Sequence, residues 1–582
     1  MTVLETDPGP PAPTTHGRAR PGRGRLVVIA AVALGVLGVA VLAWWVASRS
    51  WTGASTPAEL TALGAPRFVE VSAAAGVDQV YDGDFSFYVG GGVAAFDCDD
   101  DRRLDLYVAG GERPAALYRN ASTVGSLAFT AEPSEVTDLP AVTGAYPIDI
   151  DGDRLTDLVV LRVGGNVILR GLGDCRFERA NEALAIDGGD AWTVGFSATW
   201  ETAGARLPTL AFGNYVVPEP ASEGIGDCDR NWLVRPDTDA SRVTYGAPVA
   251  LDPGACALSM LFSDWDRSGR RDLRISNDRH YDPNAEEQLW RIAPDEAPRR
   301  YSRDEGWERL QIFGMGIASE DLTGDGYPEV YLTSQGDNKL QTLADGPGRP
   351  TYRDIALARS ATAHRPFTGD DVRPSTAWHP AFADVNNDAL TDLYIGKGNV
   401  EAQTDHAMAD PSDLLLGQVD GSFVQGAVEA GIVDMANVRG AAIVDLDGDG
   451  LLDLVQVARR DHVRIWHNLG AASAPATGER QQAVAMGHWL GIVLDQDAPN
   501  HAAIGAWIAV RIGDRTMERE RTIGGGHASG ALGPVHVGLG AATAAQVRVT
   551  WPDGEVGPWL DVEGDQVVVV RRGATAVEPW TR

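Results

Sequence analysis

From residue 68 to residue 467 the chain alternates short apolar stretches with tight acidic loops. Small or apolar runs such as Gly92-Val93-Ala94-Ala95-Phe96 and Gly440-Ala441-Ala442-Ile443-Val444 precede the loops. Runs such as Asp105-Leu106-Tyr107-Val108 and Asp392-Leu393-Tyr394-Ile395 follow them. Apolar runs of this length, bounded by Gly and Asp, read as strands rather than helices. A later phrase, for example Leu117-Tyr118-Arg119-Asn120, adds a hairpin with its own turn. The unit of loop and flanking strands recurs every 50–60 residues or so, starting at Asp97, Asp149, Asp264, Asp321, Asp384 and Asp445. The gap between Asp149 and Asp264 is about two periods. It predicts a degenerate unit near residue 200, where Phe196–Trp200 and Leu210–Tyr215 keep the strands without the carboxylates. About four strands per unit of this length is the pattern of a propeller blade. The fold class expected is all-β: a seven-bladed propeller over 68–467, then a small β module, with one N-terminal transmembrane helix.

The ends of the repeat region suggest how the ring closes. The last unit stops after its third strand, Val463–Trp466. Phe68–Ser72 has the sequence of a fourth strand with no blade before it. It is expected to pair with Val463–Trp466, which would remove exposed sheet edges. After a linker over 468–487, strands divided by Gly and Asp turns fill a β module at 488–575: His488–Leu494, Ile504–Ile512, Val535–Gly540 and Val547–Gly554. At the other end, residues 1–25 read as a disordered cytoplasmic tail ending in arginines, and 49–67 as a short linker. Between them, 26–48 carries no charge and is long enough to cross a bilayer, about 20 apolar residues being needed. Preceding arginines place the N-terminus in the cytoplasm and the bulk of the chain outside it, at the cell membrane. A cleaved signal peptide is the alternative, although its apolar core is usually shorter, about 7–15 residues.

The chemistry lies in the loops. Asp445, Asp447, Asp449 and Asp453 stand at positions 1, 3, 5 and 9, and Gly448 and Gly450 let the loop curl so that the oxygens converge. Calcium takes six to eight oxygen ligands, and no helix follows as in an EF-hand. The same positions are held by Asp97, Asp99, Asp101 and Asp105, and by Asp149, Asp151, Asp153 and Asp157. Asp384, Asn386, Asp388 and Asp392 substitute one amide oxygen. Asp264, Asp266 and Asp272, and Asp321, Asp325 and Glu329, have Ser268 and Thr323 in place of a carboxylate. Local Asp turn hydrogen bonds without metal are the alternative for any single loop. Six loops together argue for several Ca2+ ions, mainly structural.

Composition changes the picture in two ways. Lys+Arg is 49 against Asp+Glu 81, a formal net charge of −32, which argues against a nucleic-acid partner. The four cysteines, Cys98, Cys175, Cys228 and Cys256, form no CxxC pair and allow two disulfides in three connectivities. First and third hairpin loops share one face, which favours Cys98, in a first loop, with Cys175, in the third turn of the following blade; Cys228 and Cys256 would pair within the degenerate region.

The loops and their flanks resemble FG-GAP/VCBS repeats. His488-Trp489-Leu490-Gly491, Ile504-Gly505-Ala506, His536-Val537-Gly538-Leu539-Gly540 and Trp551-Pro552-Asp553-Gly554 resemble an ASPIC/UnbV module. In that order the chain is similar to the cartilage acidic protein 1 family and its bacterial relatives. One departure is Ile523-Gly524-Gly525-Gly526-His527-Ala528-Ser529, where the family has an aromatic residue and a Ser-Gln pair. The resemblance implies an extracellular calcium-binding protein acting in binding, adhesion or as a scaffold, with an unknown protein or glycan as partner. Similar modules also occur beside enediyne antibiotic pathways, so the alternative is an enzyme or accessory factor of such a pathway with a site in the propeller channel. No G-x-S-x-G or H-E-x-x-H phrase supports catalysis. His280, His364, His379 and His406 could reach the channel. Trp192, Trp200, Trp265 and Trp290 could stack sugars, or serve as core. Gly90-Gly91-Gly92 precedes a strand, not a helix, and makes a poor dinucleotide fingerprint.

Overall fold

The computed structural model describes residues 60–217, 228–237, 243–471, 483–497 and 499–580. The expected tail and apolar span at 1–48 lie outside them. Among the described residues no helix is long and apolar enough to cross a membrane.

The architecture is all-β, with a few single-turn helices. Seven four-stranded antiparallel meanders follow one another along the chain. Their first strands are Val93–Phe96, Val142–Ile148, Ala191–Thr199, Ala257–Ser263, Gly314–Glu320, Ala377–Ala383 and Asn437–Val444; we number the sheets one to seven in this order. Sheet three is the degenerate unit expected near residue 200. It is joined to sheet two by pairing of Ala191 and Trp192 with Gly164 and Val163. Each first strand packs against that of the next sheet, and Asn437–Val444 also packs against Val93–Phe96. These strands are small and apolar because they crowd together: Val93–Phe96 and Val142–Ile148 are buried throughout.

The fourth strand of sheet seven comes from the other end of the chain. Phe68, Val69 and Glu70 pair antiparallel with Asn468, His467 and Trp466. The register lies closer to the C-terminus than the expected Val463–Trp466. It is fixed by Ile465, whose N–H donates to Ser72 Oγ at 2.7 Å and whose carbonyl accepts from Val71 N–H at 2.8 Å.

The described parts of both expected linkers are bonded to neighbouring segments. The Leu63 amide donates to Asp388 Oδ2 at 2.7 Å and the Arg67 amide to the Gly470 carbonyl at 2.9 Å, so this stretch is fastened to the sheets. Val484 pairs with Gly470 and tethers the far end of the second linker.

The C-terminal module packs two four-stranded sheets face to face around Leu490, Ile492, Val510, Val547, Val549 and Val568. It is not a separate bead on the chain. Its segment Ile523–Leu532 leaves the module and enters the space between the first strands. Gly530–Leu532 pairs in parallel with Ala94–Phe96. Ala145 and Ala198 donate to the carbonyls of Ala528 and Ile523, and the amides of Gly525 and Gly526 donate to Met260 and Ile317. Buried backbone groups must find partners, and the first strands supply them at irregular points. Register shifts break the ladders at Val142/Gly144, Thr193/Gly195 and Gly314/Ile317, leaving groups free for the inserted segment. Gly92 is required here, because any side chain on it would collide with the Ala528 carbonyl.

Candidate metal centre

Each acidic loop lies between the first and second strands of a sheet, and the residue at position 9 opens the second strand. That residue acts first as a clamp. Asp105 accepts from the amides of Cys98 at 2.8 Å and Asn120 at 2.7 Å. Asp157 accepts from Ile150 and Gly171, both at 2.8 Å. Asp392 accepts from Val385 at 2.9 Å and Gly417 at 2.8 Å, and Asp453 from Leu446 at 3.1 Å and Asn468 at 2.8 Å. One carboxylate thus ties the loop to the third strand in four sheets, while each oxygen keeps a further lone pair. Burial pushes Asp105 up to about 7 and Asp157 up to about 8.

Three loops gather carboxylate oxygens within 4.8 Å of one another: Asp97, Asp99 and Asp101; Asp149, Asp151 and Asp157; and Asp445, Asp447 and Asp453. A second group, Asp447, Asp449 and His467, shares Asp447 with the last. Cys98, Cys175 and Asp105 also converge, but the two sulfurs are bonded to each other. Crowding of carboxylates away from water raises their proton affinity: Asp97, Asp149 and Asp445 are pushed up to about 6 and Asp449 to about 8, burial being the largest cause. Asp151 Oδ1 and Asp449 Oδ2 are buried without a hydrogen bond. Orphaned acceptors of this kind suit a bound cation, and the all-oxygen donor set would fit calcium.

The other three loops give no such group among the described residues. In the loop from Asp264, a guanidinium stands where a cation is expected: Arg270 Nε is 2.9 Å from Asp272 Oδ1, and its Nη2 is 3.6 Å from Asp266. Asp272 also accepts from Trp265 Nε1 at 2.9 Å and Tyr301 Oη at 2.7 Å. In the loop from Asp321, Glu329 accepts from Leu322, Thr323 and Thr342. Asp325 accepts from the Tyr327 amide at 2.9 Å. In the loop from Asp384, Asp384, Asn386, Asp388 and Asp392 are all buried beneath Leu63 and the module strand Val535–Gly540. Burial, and after it mutual repulsion, raises Asp384 to about 8 and pushes Asp392 up as well.

The cations around the loops have no counterpart in the sequence reading. Arg119 reaches Asp99 at 2.9 Å, Arg170 reaches Asp151 at 2.8 Å and Asp153 at 3.0 Å, and Arg103 pairs with Asp101. Arg119 and Arg170 occupy one register position, the residue after those paired with Leu106 and Leu158. The signal was present in the phrase Tyr118-Arg119-Asn120, which aligns with Trp466-His467-Asn468.

The histidines and tryptophans do not form a common site. His379 is buried against the inserted segment, where burial pushes its pKa down to about 4. His364 pairs with Asp337, His406 lies beside Asp405, and His280 packs on Tyr281. Trp192, Trp200, Trp265 and Trp290 are each at least 96 % buried and are core, not a sugar platform. The expected channel is occupied by Gly524–Ser529: the ring of His527 lies tilted against Trp378, 5.1 Å between centroids, and its Nε2 accepts from the Gly90 amide. Both disulfides match the favoured scheme, Cys98–Cys175 and Cys228–Cys256.

Two family models match the chain: an FG-GAP-like repeat over residues 97–160 and ASPIC and UnbV over residues 496–577. The chain is thus similar to FG-GAP-like repeats near its N-terminal sheets and to ASPIC and UnbV at its C-terminal module. The chain is also similar to cartilage acidic protein 1: the Xenopus tropicalis protein of that name is 26 % identical over 45 % of the chain, and the Mus musculus protein 27 % over 42 %. The match spans 37 % and 34 % of those relatives' own lengths. Among solved structures, BBS1N in complex with ARL6DN covers 72 % of the chain and 99 % of its own, with 10 % identity and a TM-score of 0.40. The BP39L lectin of Burkholderia pseudomallei covers 66 % and 98 %, with 10 % identity and a TM-score of 0.40. These likenesses carry no argument about ligands.

Proposed function

We propose that the seven sheets form a closed seven-bladed propeller that holds calcium in its acidic loops and serves as an extracytoplasmic binding or scaffold module. The observation that carries this reading is the repeated convergence of carboxylates in the loops from Asp97, Asp149 and Asp445, with a buried oxygen of Asp151 and of Asp449 left unpaired. Calcium would relieve their repulsion and brace the turn between two strands. The chain's own part is to fix the oxygens: glycine and Asx turns curl the loop, and the position 9 carboxylate pins it to the third strand.

Closure is supported by the packing of the last first strand on the first, and by the pairing of Phe68–Glu70 with Trp466–Asn468. An oxidising compartment is supported by two disulfides. The apolar run at 26–48 would anchor the chain to the cell membrane, N-terminus inside. The acidic balance speaks for protein or glycan partners and against nucleic acid. An enzyme working in the channel is disfavoured, because Gly524–Ser529 occupies that space. Calcium-loaded full-length protein probed on glycan and peptide arrays tests the binding role. A saturable ligand lost with a chelator supports it; turnover of a bound compound would move the protein to the enzyme class.

A further inference from the structure

Sheet seven departs from sheets one and two at one position. Arg119 in sheet one and Arg170 in sheet two meet the position 3 carboxylates of their loops. The same register position in sheet seven, next to the Leu454–Trp466 pair, is His467. Its Nε2 lies 3.4 Å from Asp447 Oδ2 and makes no hydrogen bond, although the residue is only 6 % exposed. Asp449 Oδ2 is likewise buried and unpaired. The remaining oxygens of the pair are spoken for: Asp447 accepts from the Gly125 and Asp449 amides, and Asp449 Oδ1 from Leu451. Both unpaired atoms therefore belong to one compact donor set of two carboxylates and an imidazole. Asp449 also lines a cleft of about 1010 Å³, together with Gly125, Met486 and Trp489.

We propose that Asp447, Asp449 and His467 bind a borderline transition dication, with zinc as the representative ion, in preference to calcium. The inference rests on reading the loops as dication sites and assigns one of them a different ion. Calcium selects oxygen donors. An imidazole nitrogen suits zinc and its neighbours, and three protein ligands with an open position make a common zinc geometry. In sheets one and two the arginine excludes this chemistry, because a guanidinium is a cation and never a ligand.

The test uses the full chain, stripped with chelator and refilled with excess calcium. Zinc is titrated calorimetrically, cobalt absorption reports nitrogen ligation, and elemental analysis gives the stoichiometry. The variants are His467→Gln and His467→Arg, the latter installing the residue that sheets one and two already tolerate. Wild type should keep zinc against excess calcium and show cobalt ligand-field bands. Both variants should lose the bands and bind zinc at least about 100-fold more weakly, at or beyond the 10–100-fold typical of losing an outer-shell partner. Unchanged zinc affinity in folded variants overturns the proposal, as does calcium retention without zinc binding, which leaves the calcium reading intact. Absence of any bound dication overturns both.

Discussion

The His527 amide donates to Nδ1 of His379 across 3.0 Å, though 148 residues separate them in the chain. The contact joins the C-terminal module to the first strand of sheet six. It marks where the inserted segment turns between the sheets, and it ties the folding of the module to that of the repeats. Gly526 is essential to this turn, with φ +55 and a position where a Cβ would meet the His379 ring. Gly526→Val should destabilise the protein by about 1–3 kcal/mol through overpacking alone. Gly204→Ala, at an open site, should change stability by less than about 0.5 kcal/mol. Denaturant melts of the two variants check this; equal stability would mean the segment does not bear on the fold.

Closure of sheet seven depends on Phe68, which is 4 % exposed. Phe68→Ala should cost about 3–5 kcal/mol, as for other buried Phe truncations. Removing all residues before Ala73 should lower the melting temperature further or cause aggregation, because it uncovers Trp466–Asn468 as a sheet edge. A chain of unchanged stability would show that this strand does not hold the ring.

The two disulfides differ in the loop they close, 77 residues for Cys98–Cys175 and 28 for Cys228–Cys256. Loop-closure entropy gives about 4.5 and 3.6 kcal/mol respectively. Replacing Cys98 and Cys175 by serine should therefore lower stability more than replacing the other pair. Comparison of the two double variants by urea melts checks the order.

Much of this was legible beforehand, for physical reasons. A loop with carboxylates at alternate positions and glycine between them has few other uses, so the repeats and their strands could be read directly. The Cys98–Cys175 disulfide followed from strand direction, and Cys228–Cys256 from both residues lying in the degenerate region. What stayed hidden depended on long-range pairing. Nothing local in Ile523–Ser529 shows that its amides will bond to strands of other sheets. Arg119, Arg170 and His467 carry their meaning only once the register of the third strands is known.

Acid–base behaviour should report the loops. In the metal-free protein, burial raises Asp97, Asp149 and Asp445 from 3.8 to about 6, Asp105 to about 7, and Asp157 and Asp449 to about 8. Between about pH 4 and 8 the folded chain then holds more protons than the unfolded one, so these groups lose stability as pH rises. Calcium requires them ionised. Its stabilising effect should be larger at pH 8 than at pH 5, read as the difference in melting temperature with and without calcium. An equal or smaller effect at pH 8 would separate calcium from these carboxylates.

The most direct measurement is thermal unfolding of chelator-stripped protein before and after calcium is restored, with elemental analysis of the dialysed sample. A ligand confined to the folded state stabilises it by about 2.7 kcal/mol per site at 100-fold saturation. The loops predict retained calcium and a melting temperature several degrees higher with it, with both effects reduced in Asp97→Asn and Asp149→Asn. Superimposable melting curves and a dialysed protein free of calcium would contradict the account.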